Sequence, residues 1–247
     1  MARLGMTEGL RRGIVGAISN PVRVSPAANS SAVFDPSTIT HLALAGWAGR
    51  NQAAVEAHIH ELEALGMPRP SRTPIFYRAA ASLVTTSNAI QVVGAETSGE
   101  VEFVIVPRAD GIWIGLGSDH TDRALETTSV ALAKQMCAKV VAPTLWRFDE
   151  LERHWDAIEL RSWAHRGGSR ELYQDGTFAS ILPMSDLLSR YAIDGESLGV
   201  GGALFSGTIA TIHQIGPADE FEMEMNDSAL GRRINHRYRV ETLPVNS

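Results

Sequence analysis

The chain of 247 residues is 44% hydrophobic and 20% charged, an ordinary globular composition with length for one large core or two modest ones. No run approaches the roughly 18 apolar residues of a membrane span. A formal charge of −6, scattered basic residues and 6% aromatics leave no footprint for nucleic acid, and the single Cys137 rules out an internal disulfide and a thiolate cluster, so a cytoplasmic, reducing setting is expected.

The first 38 residues set Arg3, Arg11, Arg12 and Arg23 against one acid, Glu8, before a Ser/Asn/Pro-rich stretch that runs from Ser25 to Thr38 and carries Asp35. A transit peptide would need a stronger amphipathic pattern than Ile14 to Ile18 supplies. Residues 1–38 are therefore expected to be an N-terminal arm and residues 39–247 the folded domain. A short strand over His41 to Ala45 leads into the turn Gly46 to Asn51. From Gln52 to Leu65 the residues Val55, Ile59, Leu62 and Leu65 recur at helical spacing, closed by Gly66 and Pro68. On this helix His58 and Glu61 are three apart and share a face, so the carboxylate can orient the imidazole and raise its pKa. The same spacing also serves an ordinary solvated surface pair.

Strands are expected at Ile75 to Tyr77 and Ala89 to Val93, followed by an acidic hairpin. In Glu100-Val101-Glu102-Phe103-Val104-Ile105-Val106 the two glutamates point to one side of a strand. Arg108-Ala109-Asp110-Gly111 reads as a tight turn, with Ile112 to Gly117 returning. If the loop is four residues, Pro107 faces Ile112 and Glu100 faces Asp119; if only Asp110-Gly111 turn, Glu102 faces Asp119. Either register gathers Glu100, Glu102 and Asp119 on one face. Three unpaired carboxylates that close repel strongly if buried, and a hard cation such as Mg²⁺, Mn²⁺ or Ca²⁺ resolves that conflict with oxygen ligands. On a surface hairpin the glutamates would simply line the wet face.

Thr127 to Met136 reads as a helix with Lys134 and Lys139 flanking its end. The rest alternates short strands (Ile158 to Trp163, Arg170 to Tyr173, Ala203 to Phe205, Glu220 to Met225, His236 to Leu243) with one helix, Met184 to Tyr191. His120 on a strand would point away from Asp119, and His236 reads as a packed or surface strand histidine. This β-rich, mixed α/β pattern argues for a folded mixed sheet with few peripheral helices over a doubly wound one.

The ordered landmarks resemble the fumarylacetoacetate hydrolase superfamily, and more closely a bacterial branch of it without a generally assigned function. Gly49-Arg50-Asn51 resembles the family's Gly-Arg-Asn-Tyr segment, His58-x-x-Glu61 its lid, and Glu100-Val101-Glu102 its Glu-x-Glu metal motif. Ser118 to Arg123 resembles the segment supplying the third carboxylate, and Lys134 stands ahead of Ala142-Pro143 as the family's lysine stands ahead of a Gly-Pro turn. Tyr173 to Thr177 and Phe205 to Thr208 are similar to its later glycine loops. The chain departs from that pattern in a trimmed hairpin, in the missing tyrosine after Asn51 and in Ile209 after Gly207-Thr208. The short span from Asp119 leaves Lys139 as an alternative to Lys134.

The resemblance implies a β-sandwich roll that works as a homodimer on a small oxo acid. It implies Mg²⁺ (or Mn²⁺ or Ca²⁺) at Glu100, Glu102 and Asp119, catalysis by His58, Glu61 and Lys134, and substrate contacts from Arg50, Gln174, Gly207 and Thr208. The implied reaction is hydrolysis of a C–C bond in a 1,3-dicarbonyl or 2-oxo acid through a metal-stabilised enolate. Decarboxylation, isomerisation or lyase chemistry is the alternative, and a non-catalytic metal- or ligand-binding protein a further one.

Overall fold

The structure is a computed structural model that describes residues 30–64, 69–193 and 195–245. In chain order its strands begin with β1 (Ser31–Val33), β2 (His41–Gly46), β3 (Ile75–Ala79), β4 (Val84–Thr85), β5 (Ala89–Val93), β6 (Thr97–Ser98), β7 (Val101–Arg108) and β8 (Gly111–Asp119). They continue with β9 (Thr121–Asp122), β10 (Lys139–Arg147), β11 (Glu159–Arg166), β12 (Ser169–Thr177), β13 (Gly202–Phe205), β14 (Glu220–Asp227) and β15 (Arg232–Leu243). The helices are α1 (Gln52–Ala64), α2 (Arg123–Glu126), α3 (Val130–Gln135), α4 (Phe148–Leu151) and α5 (Met184–Ala192). Among the described residues no helix is long and apolar enough to cross a membrane.

One mixed sheet runs β1-β10-β8-β7-β13-β2-β3 with β4 beside β10, a second runs β12-β11-β14-β15-β5, and β6 pairs with β9 as a small ribbon. The first sheet is covered on both faces, which is why Val101 to Val106 is a continuous buried run rather than an alternating one. Between the sheets pack Phe103, Leu116, Trp155, Phe178, Phe221 and Tyr238. On the other face Leu44, Val104, Trp113 and Leu145 meet Phe34 and Ile39. The second sheet covers the core with one face only, so β11 alternates buried and part-exposed residues.

The acidic hairpin forms as its alternation requires. Pro107 lies opposite Ile112 and Arg108 opposite Gly111, so Ala109 and Asp110 make the turn and Gly111 takes a φ of 135° that a side chain would resist. Of the two registers open in the sequence, this one puts Glu100 across from Asp119, with Asp119 N–H donating to the Glu100 carbonyl at 3.0 Å.

Three local readings change. The helix expected over Thr127 to Met136 is shorter, Val130–Gln135, because Ser129 accepts the Leu132 N–H and starts it there, and a separate short helix, α2, precedes it. The Ala142-Pro143 turn is part of β10, where a register shift between Val141 and Leu145 seats the proline. Of the expected arm, residues 1–29 lie outside the described residues. Residues 31–33 instead pair with β10 as β1, and the Phe34 N–H donates to the Pro143 carbonyl at 2.9 Å.

Candidate metal centre

Glu100 precedes β7, Glu102 lies on it opposite Gly117, and Asp119 ends β8. One ligand atom from each of the three carboxylates lies within 4.8 Å of the others. That span suits a hard cation with oxygen ligands at about 2.0–2.6 Å, so the donor set fits Mg²⁺, Mn²⁺ or Ca²⁺. The acids are deep: Glu102 and Asp119 are 1% and 0% exposed. At about 4 Å and an effective dielectric of 20, each like-charged pair would repel by about 4 kcal/mol.

Three cations offset that repulsion. Lys139, opposite Asp119 in the β8–β10 ladder, reaches Asp119 Oδ1 at 2.7 Å and donates to the His120 carbonyl at 2.6 Å. Lys134 on α3 donates to Asp119 Oδ2 and lies 3.5 Å from Glu100 Oε2. Arg123, capped into α2 by Asp122, holds Glu100 Oε1 at 2.9 Å, Glu126 at 2.7 Å and Ser98 at 2.7 Å. Both lysines therefore converge on Asp119.

The carboxylates titrate unequally. Burial pushes all three up, but Lys134 and Lys139 hold Asp119 at about 2, and Arg123 with Lys134 brings Glu100 below its usual range. Burial, with Asp119 second, drives Glu102 well above that range. Burial also opposes the charge on Lys134, yet Asp119 and Glu100 raise its pKa. His120 points away from the acids to Thr97 at 2.9 Å and Tyr238 at 3.0 Å, and burial, then Lys139, lowers it to about 3.

The other sequence-derived candidates sit around this centre in different ways. The Gly207 N–H donates to Glu102 Oε2 at 2.8 Å from a φ of 83°, and a Cβ there would come 3.0 Å from Ala48. Gln174 accepts the Val101 N–H at 3.0 Å, and Thr208 donates to the Val101 carbonyl at 2.8 Å while accepting from Gln174 at 2.8 Å. The residue between the two glutamates is thus held on both backbone groups. Arg50 binds Asp156 with two bonds of 2.7 Å and the Ile181 carbonyl at 3.0 Å.

α1 forms where expected and places Glu61 on its exposed side, while the side chains of His58 and Leu62, and all of Leu65, lie outside the described residues. α1 borders, through Ile59, a cavity of about 280 Å³ also lined by Trp47, Tyr77, Arg69, Glu126 and Val130. Trp47 lines it from a φ of 58°, a left-handed backbone that bulky residues rarely adopt. Glu126 in the wall connects through Arg123 to Glu100. Arg123 went unassigned in the sequence, although an acidic cluster that must be buried calls for a cation beside it, and Arg123 stands in the same segment as Asp119.

Solved structures of known proteins share this fold. A 2-keto-3-deoxy-D-arabinonate dehydratase complexed with magnesium and 2,5-dioxopentanoate superposes with a TM-score of 0.61 at 15% identity, covering 84% of this chain and 75% of its own. Cg1458, solved with an inhibitor, gives 0.61 at 15% identity over 83% of this chain and 78% of its own. Yeast ynq8, a fumarylacetoacetate hydrolase family protein, gives 0.60 at 16% identity over 85% and 96%. No curated protein matches the chain. The family model described as a protein of unknown function, DUF2848, matches residues 45–238, and the chain accordingly belongs to the DUF2848 family, on the fold of the fumarylacetoacetate hydrolases.

Proposed function

We propose that the protein is a divalent-metal-dependent enzyme that hydrolyses a C–C bond in a small 1,3-dicarbonyl or 2-oxo acid. The observation that carries this reading is the cluster of Glu100, Glu102 and Asp119, with Glu102 and Asp119 buried and the ligand atoms within 4.8 Å of one another. A cation held there supplies Lewis acidity, which stabilises the negative charge that develops when a bond α to a carbonyl breaks. Lys139 and Arg123 keep Asp119 and Glu100 ionised and oriented, Gly207 fixes Glu102, and Gln174 with Thr208 fixes the backbone between the glutamates. The cavity beside α1, lined by Ser129 to Ala131 at the start of α3, takes the body of the substrate, and Lys134 further along the same helix meets the developing charge. His58, oriented by Glu61, is the base that activates water.

A second reading keeps the metal and omits the water step, giving a decarboxylase, isomerase or lyase. It is supported by the dehydratase neighbour, which holds magnesium and 2,5-dioxopentanoate. In both readings residues 39–247 form the catalytic domain, the enzyme is a homodimer, and the free thiol of Cys137 suits a reducing cytoplasm.

The test is consumption of oxaloacetate and acylpyruvates by protein stripped with a chelator and resupplied with Mg²⁺ or Mn²⁺. Turnover should return with metal and be absent from Glu100→Ala. In His58→Ala a C–C hydrolase loses at least about a hundredfold, the usual contribution of a general base. Undiminished turnover in that variant removes His58 from the mechanism and favours the lyase reading. Metal binding without turnover of any oxo acid would leave a binding protein.

A further inference from the structure

Each acid of the centre has one oxygen pinned by a group that is itself fixed. Glu100 Oε1 is held by Arg123 at 2.9 Å, Glu102 Oε2 by the Gly207 N–H at 2.8 Å and Asp119 Oδ1 by Lys139 at 2.7 Å. Arg123 is further tied to Ser98 and Glu126, Lys139 is wholly buried and bonded to the His120 carbonyl, and Gly207 contributes backbone. The oxygens left to ligate a cation are Glu100 Oε2, Glu102 Oε1 and Asp119 Oδ2. Lys134 already stands on two of them, donating to Asp119 Oδ2 at 3.5 Å from Glu100 Oε2.

We infer that Lys134 is a tethered counter-ion occupying the place of the divalent cation, and that the metal binds by displacing its ammonium. The inference rests on the metal reading of the centre given above. A cation with carboxylate oxygens at about 2.0–2.6 Å cannot share both of those oxygens with an ammonium at hydrogen-bond distance without close like-charge contact. Of the three basic groups only Lys134 can yield. It hangs from a six-residue helix on a flexible four-carbon stem, whereas Lys139 is locked in a ladder and Arg123 in a bonded fork. The cavity of about 280 Å³ is lined by Val130 and Ala131 at the start of the same helix, and the displaced side chain would swing toward it. There the ammonium faces the substrate's anionic end, so one side chain neutralises the acids before loading and recognises the substrate after it.

The test is titration calorimetry of Mn²⁺ into the chelator-stripped full chain, comparing the unmodified protein with Lys134→Met and Lys134→Arg. Circular dichroism confirms the fold, and Lys134→Gln stands in if the methionine variant does not fold. The neutral variant should bind Mn²⁺ at least about tenfold more tightly, about 1.4 kcal/mol, while the arginine variant stays within about threefold of the unmodified protein. Equal or weaker binding by the neutral variant overturns displacement, because Lys134 would then keep its contact and orient Asp119 in the loaded site. If the unmodified protein binds Mn²⁺ and Glu100→Ala does not, that failure touches displacement alone. If no form binds Mn²⁺, the metal reading falls and this inference with it.

Discussion

His236 shows what a single buried ring contributes. Its imidazole on β15 is 8% exposed and bonds the Ser87 carbonyl through Nε2 at 3.2 Å. Burial lowers its pKa, more than the Ser87 bond raises it. With the folded value below the unfolded one of about 6.5, the unfolded chain takes up the proton first as pH falls. The stability this neutral ring contributes is full above about pH 6.5 and drains below it, at a limit of about 1.4 kcal/mol per pH unit. Urea titrations should therefore show the advantage of the unmodified protein over His236→Gln shrinking from pH 7.5 to pH 5.5; a constant difference would contradict the buried neutral state. The residue identities of the centre were legible because carboxylates two apart on a strand must share a face. Of its cations, Lys134 and Lys139 were named from the resemblance alone and Arg123 not at all, because all three meet the acids through chain folding rather than spacing.

At the scale of elements, the hairpin carries the site, and side chains from elsewhere hold it in place. Gln174, fully buried on β12, accepts from Val101 and from Ser162 at 2.8 Å and donates to Thr208 and to the Ile209 carbonyl at 2.7 Å. Replacing it with alanine leaves several buried groups without partners, which costs about 1–3 kcal/mol per group. Gln174→Ala should therefore lower the melting temperature, and by loosening the glutamates it should weaken Mn²⁺ binding about 10- to 100-fold, the usual effect of losing an outer support of a metal ligand. Unchanged affinity in calorimetry would show that the ladder alone sets their geometry. Elements with strong periodicity, α1, α5 and the hairpin, were readable in advance to within a residue or two. β10 was not, because Pro143 punctuates it and only the register shift reconciles that proline with a strand. The start of α3 was read three residues early because the Ser129 cap is a local hydrogen bond inside an otherwise helical pattern.

For the molecule as a whole, composition and strand content pointed to a folded mixed sheet, and two sheets sharing one core is what forms. The sequence did not reveal that the stretch before residue 39 closes the second core, since its Ser/Asn/Pro content masks Phe34, which is 4% exposed against Leu44 and Trp113. Phe34→Ala should destabilise the protein by about 3–5 kcal/mol, through lost transfer energy and the cavity left behind, and denaturant unfolding would measure it; a change below about 1 kcal/mol would mean that this face tolerates opening. The clamp on the glutamates has a consequence in time. Val101 is held from 73 and 107 residues away and Glu102 from 105, and loops that long close late. The acids are synthesised in the first half of the chain but acquire their ligand geometry only when the far half has docked. Affinity for the cation is thus a property of the finished fold, and a nascent chain that has made all three carboxylates does not yet possess it.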